Sequence, residues 1–120
     1  MKIALIGDVH ANLPALETVL THAHQQNIDA IWNIGDWVGY NAFPNQVIRR
    51  LRQERTVSIV GNYDLKVLKF KKKKAKWRHA KRPEKYLAFK WAYKNLSKEN
   101  RKYLRALPRE RRLRVNGQRI

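Results

Sequence analysis

Cysteine is absent from this chain of 120 residues. Disulfide bonds and thiolate metal sites are therefore excluded, while the redox compartment is left open. Long apolar runs are also missing. The run at the start of the chain, Ile3 to Ile6, has only four residues and is soon followed by Asp8. A bilayer span needs roughly 20 apolar residues, and the start of the chain lacks the apolar core of a secretory signal. We therefore expect a soluble cytoplasmic protein of one domain, with no membrane partner.

Acidic residues are scarce in the second half of the chain. Residues 61–120 hold 22 Lys and Arg but only four Asp and Glu, whereas residues 1–60 hold five of each. The whole net charge of +18 thus belongs to the second half. Such a balance is typical of proteins that bind nucleic acids or other anionic surfaces.

The first half alternates between strand and helix patterns. Apolar, β-branched runs predict strands over residues 2–6, 28–34 and 56–60. Pro14 and Pro44 suit the first turns of two intervening helices, and Asn27 is expected to end the first helix. Right-handed crossovers would then build a parallel sheet covered by helices, with the order βαβαβ.

The second half predicts helices and a hairpin. A helix is expected to start within residues 64–70, and a solvated basic loop or frayed helix over residues 71–82. Further helices are predicted from Pro83 to Asn95, and from an N-cap at Ser97 to about Leu107. Asn116-Gly117 predicts a β-hairpin whose first arm includes residues 113–115. Its second arm has only three residues, so we expect a sequence that ends before its fold does.

The three predicted strands end in related motifs. Gly7-Asp8-Val9-His10 follows the first strand, Gly35-Asp36 the second and Gly61-Asn62 the third. The carboxyl ends of parallel strands meet at one edge of a sheet, where ligands bind. Oxygen and nitrogen ligands suit a hard or borderline metal ion, so these motifs predict a metal site.

These segments resemble the conserved blocks of the calcineurin-like metallophosphoesterase superfamily, in its small bacterial phosphodiesterase branch. The blocks are Gly7–Asn12, Gly35–Tyr40 and Gly61–Asp64. The resemblance covers nearly all of this chain but only the N-terminal half of a family domain. It implies an α/β fold: the βαβαβ half of a metallophosphoesterase-type sandwich, a basic helical segment and a truncated C-terminal hairpin. The corresponding ranges are 1–64, 65–110 and 111–120.

The resemblance also implies a two-metal site. Asp8 and His10 would bind one ion, Asp36 would bridge two, and Asn62 would bind the second with its amide near the substrate phosphate. Tyr63 stands where the family usually has histidine, and Tyr63 and Asp64 are the remaining catalytic candidates. Manganese is the first ion expected, with iron, zinc, nickel or magnesium as alternatives, and the implied reaction is hydrolysis of phosphomonoesters or phosphodiesters.

Histidine is too scarce to complete that site. The family's remaining ligands are histidines from later blocks, but this chain contains only His10, His22, His24 and His79. None of the last three lies in a matching block, and we expect His22 and His24 to be solvated. The isolated chain is therefore expected to be incomplete or inactive, unless a separate chain supplies the missing half.

The alternative hypothesis is a basic nucleic-acid-binding protein on a remnant of the phosphoesterase fold. Lys and Arg side chains interleaved with Trp77 and Tyr86 could bind phosphates and stack bases. The same cations could instead be a solvated segment, or could draw anionic phosphate esters toward the metal site. The candidate nucleic-acid residues are Lys71, Lys72, Lys73, Lys74, Trp77 and Arg78.

Overall fold

The computed structural model describes all residues, 1–120, as five strands and six helices. The strands are β1 (Ile3–Ile6), β2 (Ala30–Asn33), β3 (Val57–Ser58), β4 (Arg114–Val115) and β5 (Gln118–Arg119). The helices are α1 (Leu13–Gln25), α2 (Pro44–Gln53), α3 (Asn62–Leu68), α4 (Phe70–Ala80), α5 (Pro83–Asn95) and α6 (Lys98–Ala106). No helix is both long enough and apolar enough to cross a membrane.

The first three strands form a parallel sheet in the order β1-β2-β3, with α1 and α2 as the crossovers. Leu5 pairs with Trp32, which in turn pairs with Val57. This arrangement confirms the predicted βαβαβ order. The third strand is shorter than the expected residues 56–60, because the backbone N–H of Val60 donates instead to the carbonyl of Pro108 at 2.9 Å.

Local sequence signals set the helix ends. The Asn12 side chain accepts a hydrogen bond from the backbone N–H of Ala15 and caps α1, and Asn27 follows that helix with a positive φ of 55°. Ser97 caps α6 by accepting from Asn100 at 3.1 Å. These caps satisfy backbone groups that have no partner within the helix.

Residues 71–80 form a regular helix, so of the two alternatives expected for residues 71–82, a loop or a frayed helix, the loop is wrong. Phe70 and Trp77, seven residues apart, lie on the inward face of α4, where Trp77 packs against Phe89 of α5 with ring centroids 5.8 Å apart. Most of the lysines of α4 point to solvent. The helix is therefore stabilised by the aromatic contacts of Phe70 and Trp77 with α5, which its high lysine content does not indicate. The preceding helix α3 also begins earlier than expected, at Asn62.

The hydrophobic core lies on one face of the parallel sheet. Ile6 and Ile31 point from the sheet into this core. Its fully buried members include Leu20 of α1, Ile48 of α2 and Phe89 of α5. The core thus joins the parallel sheet to helices of the basic half.

The opposite face of the sheet is open. Leu5 is 64% exposed and Ile34 is 53% exposed, although parallel sheets normally carry cover on both faces. An apolar groove of about 350 Å³ runs along this face, and its lining includes Trp32 and, from the hairpin segment, Leu113 and Ile120.

Candidate metal centre

Backbone hydrogen bonds join the loops that follow β1 and β2. The N–H of Asp8 donates to the carbonyl of Gly35 at 3.1 Å, and the N–H of His10 donates to the carbonyl of Asp36 at 2.9 Å. A third bond runs from Ala11 to the carbonyl of Trp37 at 2.7 Å. These bonds extend the pairing of the two strands into their loops and hold the side chains of both motifs together.

Asp8, His10 and Asp36 converge on one point. Their candidate ligand atoms all lie within 4.8 Å of one another, and His10 Nε2 is 4.0 Å from Asp36 Oδ2. Two carboxylates this close repel each other, and a cation between them removes that repulsion. The donor set of two oxygens and one imidazole nitrogen therefore fits a divalent metal ion.

The imidazole of His10 is held in the tautomer that suits a metal ligand. Its Nδ1 lies 2.9 Å from the carbonyl oxygen of Val38. Because a carbonyl can only accept, Nδ1 carries a proton, and in the neutral ring Nε2 is then the nitrogen available to a metal ion, on the side of Asp36. Metal-binding histidines are commonly oriented by such a hydrogen bond from the other ring nitrogen.

Asp36 lies deepest in the cluster, at 9% exposure. Burial raises the pKa of its carboxyl above the usual value, and the nearby Asp8 adds to this shift. The backbone N–H of Tyr63 and the charge of His10 act in the opposite direction. The Tyr63 N–H donates to Asp36 Oδ1 at 2.9 Å. One oxygen of Asp36 is thus tied to the start of α3, and the other faces His10.

Asn62 lies beside Asp36, at the end of the third motif. Its neighbour Tyr63 donates to the Asp36 carboxylate, and its other neighbour, Gly61, packs against the backbone and carboxylate of Asp36. The Asn62 side chain is exposed. The third motif therefore meets the first two, although it lies 26 residues after Asp36.

Asp64 does not face the cluster. It is fully buried, and its carboxylate accepts from the backbone N–H of Val38 at 3.0 Å and from that of Gly61 at 2.9 Å. Burial raises the pKa of this carboxyl to about 6, against the lowering effect of those hydrogen bonds. Asp64 ties the second motif to the third, which is the geometry of a positioning residue.

Unusual backbone conformations concentrate in the two loops that hold the cluster. Asp8, His10, Ala11, Asp36 and Asn41 all have positive φ, between 46° and 60°. This conformation costs about 1–2 kcal/mol for a residue that carries a Cβ, and such strain is typical of functional sites. The Asn41 side chain supports the first loop by donating to the carbonyl of His10 at 2.9 Å.

Aromatic and basic side chains form a rim beside the cluster. The rings of Tyr40 and Tyr63 lie edge-on to the His10 ring, at 5.4 and 5.2 Å between centroids. The Lys66 and Lys85 amines lie 5.2 and 5.6 Å from the Tyr63 ring. The hydrogen bond from the Tyr40 hydroxyl lowers the pKa of Tyr63 and the two lysines lower it further, against a raising effect of burial.

Sequence reasoning missed Tyr40, Lys66 and Lys85. Tyr40 ends the second motif block, Gly35–Tyr40, and its position there could have identified it as a candidate site residue. The two lysines are indistinguishable from their many basic neighbours in sequence. Only the packing of α3 and α5 brings them to Tyr63.

The remaining histidines lie outside the cluster, as expected. His22 is exposed on α1, and His24 pairs with Glu54 at 2.9 Å. His79 is exposed near the end of α4. The group of His and carboxylate side chains that could hold a metal ion therefore has three members, Asp8, His10 and Asp36.

The candidate nucleic-acid residues separate onto different faces of α4. Lys71, Lys74 and Arg78 line a groove against α5, and Lys72 is exposed elsewhere. Trp77 packs inward on Phe89, with the Lys81 amine 4.8 Å from its ring. Trp77 is thus part of the packing between α4 and α5.

Known proteins resemble the chain in both sequence and fold. An uncharacterized protein of Methanocaldococcus jannaschii is 37% identical over 112 residues, which is 88% of this chain and 42% of that protein. The crystal structure of a metallophosphoesterase from Sphaerobacter thermophilus superposes with a TM-score of 0.71 and 34% identity, over 96% of this chain and 43% of that one. A second structure, provisionally described as a diadenosine tetraphosphatase, gives a TM-score of 0.66 and 26% identity, over 88% of this chain and 42% of that one.

The chain therefore spans about two fifths of the length of these relatives. The sequence profile of the calcineurin-like phosphoesterase family matches residues 1–118, nearly the whole chain. On the combined evidence of the strand-end motifs, the fold and this match, the chain belongs to the calcineurin-like phosphoesterase family.

Proposed function

We propose that the chain contributes the metal-binding half of a metal-dependent phosphoesterase. The convergence of Asp8, His10 and Asp36, with the His10 tautomer set by the Val38 carbonyl, carries this proposal. A divalent ion bound there would polarise phosphoryl oxygens and lower the pKa of water. Mn²⁺ is the first ion to test, and phosphate monoesters and diesters are the substrate class.

Each residue of the site would have a role that follows from its position. Asp8, His10 and Asp36 would hold the ion, and the exposed amide of Asn62 would bind a second ion or the substrate phosphate. Lys66 and Lys85 place positive charge beside Tyr63, which favours the approach of an anionic ester. The Tyr63 ring lies 5.2 Å from the His10 ring between centroids, and its hydroxyl would act as the proton donor at the leaving group.

Metal binding can be tested by titrating the purified chain with Mn²⁺ in a calorimeter. The wild type should bind the ion, and Asp36→Ala should abolish binding, because it removes the most buried ligand. Asp29→Ala is the matched control, since Asp29 is an exposed carboxylate whose bond is to the backbone of Lys2. A wild type that binds no Mn²⁺ at millimolar concentration would contradict the proposal.

We further propose that hydrolysis requires ligands supplied by additional polypeptide on the open face of the sheet. Three ligands cannot complete two ion sites, and the relatives are more than twice as long as this chain. The exposed Leu5 and Ile34 give that polypeptide an apolar surface to bury. The added segment would bring imidazole ligands to the edge where Asp36 lies.

Complementation can test this requirement. The chain would be mixed with the part of the Methanocaldococcus jannaschii relative that it does not match, and the hydrolysis of bis(p-nitrophenyl) phosphate measured with Mn²⁺. The mixture should hydrolyse the ester and either part alone should not, while Asp36→Ala should inactivate the mixture. Equal activity of the chain alone would show that no added segment is needed.

A further inference from the structure

A groove between α4 and α5 concentrates positive charge and is lined by none of the candidate metal ligands. It has a volume of about 680 Å³, and ten residues line it. Six of these are basic and none is acidic. The basic residues are Lys71, Lys74 and Arg78 of α4, Lys90 and Lys94 of α5, and Arg101 of α6.

None of these six cations has an acidic partner. The ion pairs of the chain involve other basic residues, such as Arg50 and Arg52, and no carboxylate lies within 4.0 Å of the groove cations. Six like charges around one concavity repel each other and destabilise the fold. A bound polyanion would relieve this repulsion, because it would neutralise several cations at once.

The spacing along the helices places the cations in two facing rows. Lys71, Lys74 and Arg78 fall on one face of α4, three and four residues apart. Only Lys81 and Arg82 separate α4 from α5, so the two helices form an antiparallel pair. Lys90 and Lys94, four residues apart, form the opposite row. From Lys71 to Arg78 a row extends about 10 Å along the helix axis.

The floor of the groove is aromatic. Tyr86 and Tyr93 line it half-exposed, and both rings pack on Phe70, at 5.4 and 6.0 Å between centroids. The Arg101 guanidinium lies over the Tyr93 ring at 4.6 Å and offers a planar cation. Single-stranded nucleic acids bind through such combinations of a basic track and stacking groups. In a duplex the bases are already stacked on each other and cannot reach such a floor.

We propose that the groove between α4 and α5 binds a short stretch of single-stranded nucleic acid. The two rows of cations hold its phosphates, while Tyr86 and the guanidinium of Arg101 stack against its bases. The site does not depend on the metal cluster or on hydrolysis. Of the candidate nucleic-acid residues it uses Lys71, Lys74 and Arg78, and it excludes the three that do not line the groove: Lys72, Lys73 and Trp77.

Fluorescence anisotropy with labelled 12-nucleotide dT and U oligomers tests the proposal, using the full chain at 50 and 200 mM salt. The variant Lys71→Gln/Lys74→Gln/Arg78→Gln should weaken binding about 10-fold or more. It should also reduce the slope of log affinity against log salt by about 2, because three phosphate contacts are lost. Lys69→Gln/Lys72→Gln/Lys76→Gln is the matched control. It removes the same charge from exposed lysines that do not line the groove: Lys72 and Lys76 of α4, and Lys69 directly before that helix.

The control variant should bind within about threefold of the wild type, because only its long-range attraction is reduced. Lys90→Gln/Lys94→Gln, on the other wall, should also weaken binding, so the proposal stays testable if the first variant unfolds. Equal losses in the groove and control variants would overturn the proposal in favour of non-specific attraction. If poly-glutamate displaces the labelled oligomer as effectively as unlabelled oligonucleotide does, the assignment to nucleic acid is overturned. The absence of binding at 50 mM salt would overturn it as well.

Discussion

At the scale of single residues, the cluster depends on backbone groups as much as on its ligands. The carbonyl of Val38 orients His10, and the N–H of Tyr63 orients Asp36. Gly35 and Gly61 let the strand ends approach closely, since a Cβ on Gly35 would lie 2.6 Å from the Cα of Gly61. The positions of the ligands are therefore determined by the packing of one loop on another.

Gly61→Ala should disrupt the cluster. The added Cβ would overlap the backbone nitrogen and the carboxylate of Asp36, and such overpacking costs about 1–3 kcal/mol. The φ of Gly61 is −92°, so the effect is steric and not conformational. We expect both the free energy of unfolding, measured by urea denaturation, and the affinity for Mn²⁺ to fall.

Gly7→Ala is the control for this steric effect. Gly7 also follows a strand and precedes a candidate ligand, but its added Cβ would overlap only the side chain of Ile34, which is 53% exposed and can rotate away. A smaller loss is expected. Equal losses in Gly61→Ala and Gly7→Ala would argue against the close packing of Gly61 on Asp36.

At the scale of elements, charged side chains join α1 to α2. Glu54 follows α2 and pairs with His24 of α1 at 2.9 Å and with Arg50 at 2.6 Å, and Arg50 also reaches Glu17 at 2.9 Å. Burial acts to raise the pKa of Glu54, but the hydrogen bonds from His24 and Arg50 outweigh it and leave the pKa below the usual value. The ionised form is thus favoured by folding.

Glu54→Gln should lower stability in a pH-dependent way. A carboxyl whose pKa is lower in the folded protein stabilises it above the pKa of the unfolded chain, and this contribution is lost as the pH falls through the folded pKa. We expect the variant to unfold about 1 kcal/mol more easily at pH 7. The difference should shrink below pH 4.5, the ordinary value for this group. Urea denaturation at several pH values measures it.

Glu110→Gln is the control for the loss of a charge. Glu110 pairs with Arg112 at 3.3 Å, and both side chains are more than three quarters exposed. Exposed pairs contribute little to stability, so this variant should behave like the wild type at every pH. A pH-independent effect of Glu54→Gln would show that its contribution is packing and not charge.

At the scale of the whole molecule, the sheet has one covered and one open face. The double variant Leu5→Thr/Ile34→Thr should reduce self-association, measured by analytical ultracentrifugation, because it removes exposed apolar surface. Its free energy of unfolding should change by less than about 1 kcal/mol, since both side chains are more than half exposed. Leu16→Thr, at a position only 2% exposed, should cost about 2–4 kcal/mol. A double variant as unstable as Leu16→Thr would mean that the open face is covered in solution.

Much of the fold follows from local signals in the sequence. The parallel βαβαβ order, the caps at Asn12 and Ser97 and the hairpin turn at Asn116 were all predictable. The helix α4 was not, because its charge suggested a solvated loop while its stability comes from contacts of Phe70 and Trp77 with α5. Periodicity reports the face that a segment can bury, but not whether a partner is present to cover it.

The sequence by itself determined which residues could bind a metal, because the motifs at three strand ends must meet at one edge of a parallel sheet. Only the tertiary structure decided how they meet. The tautomer of His10 depends on a carbonyl 28 residues away, and the burial of Asp64 depends on Val38 and Gly61. Which lysines of α4 line the groove, and which lie on its other faces, depends on how α4 packs against α5. Strand and helix signals act over a few neighbouring residues, whereas these contacts arise from the packing of segments that are distant in sequence.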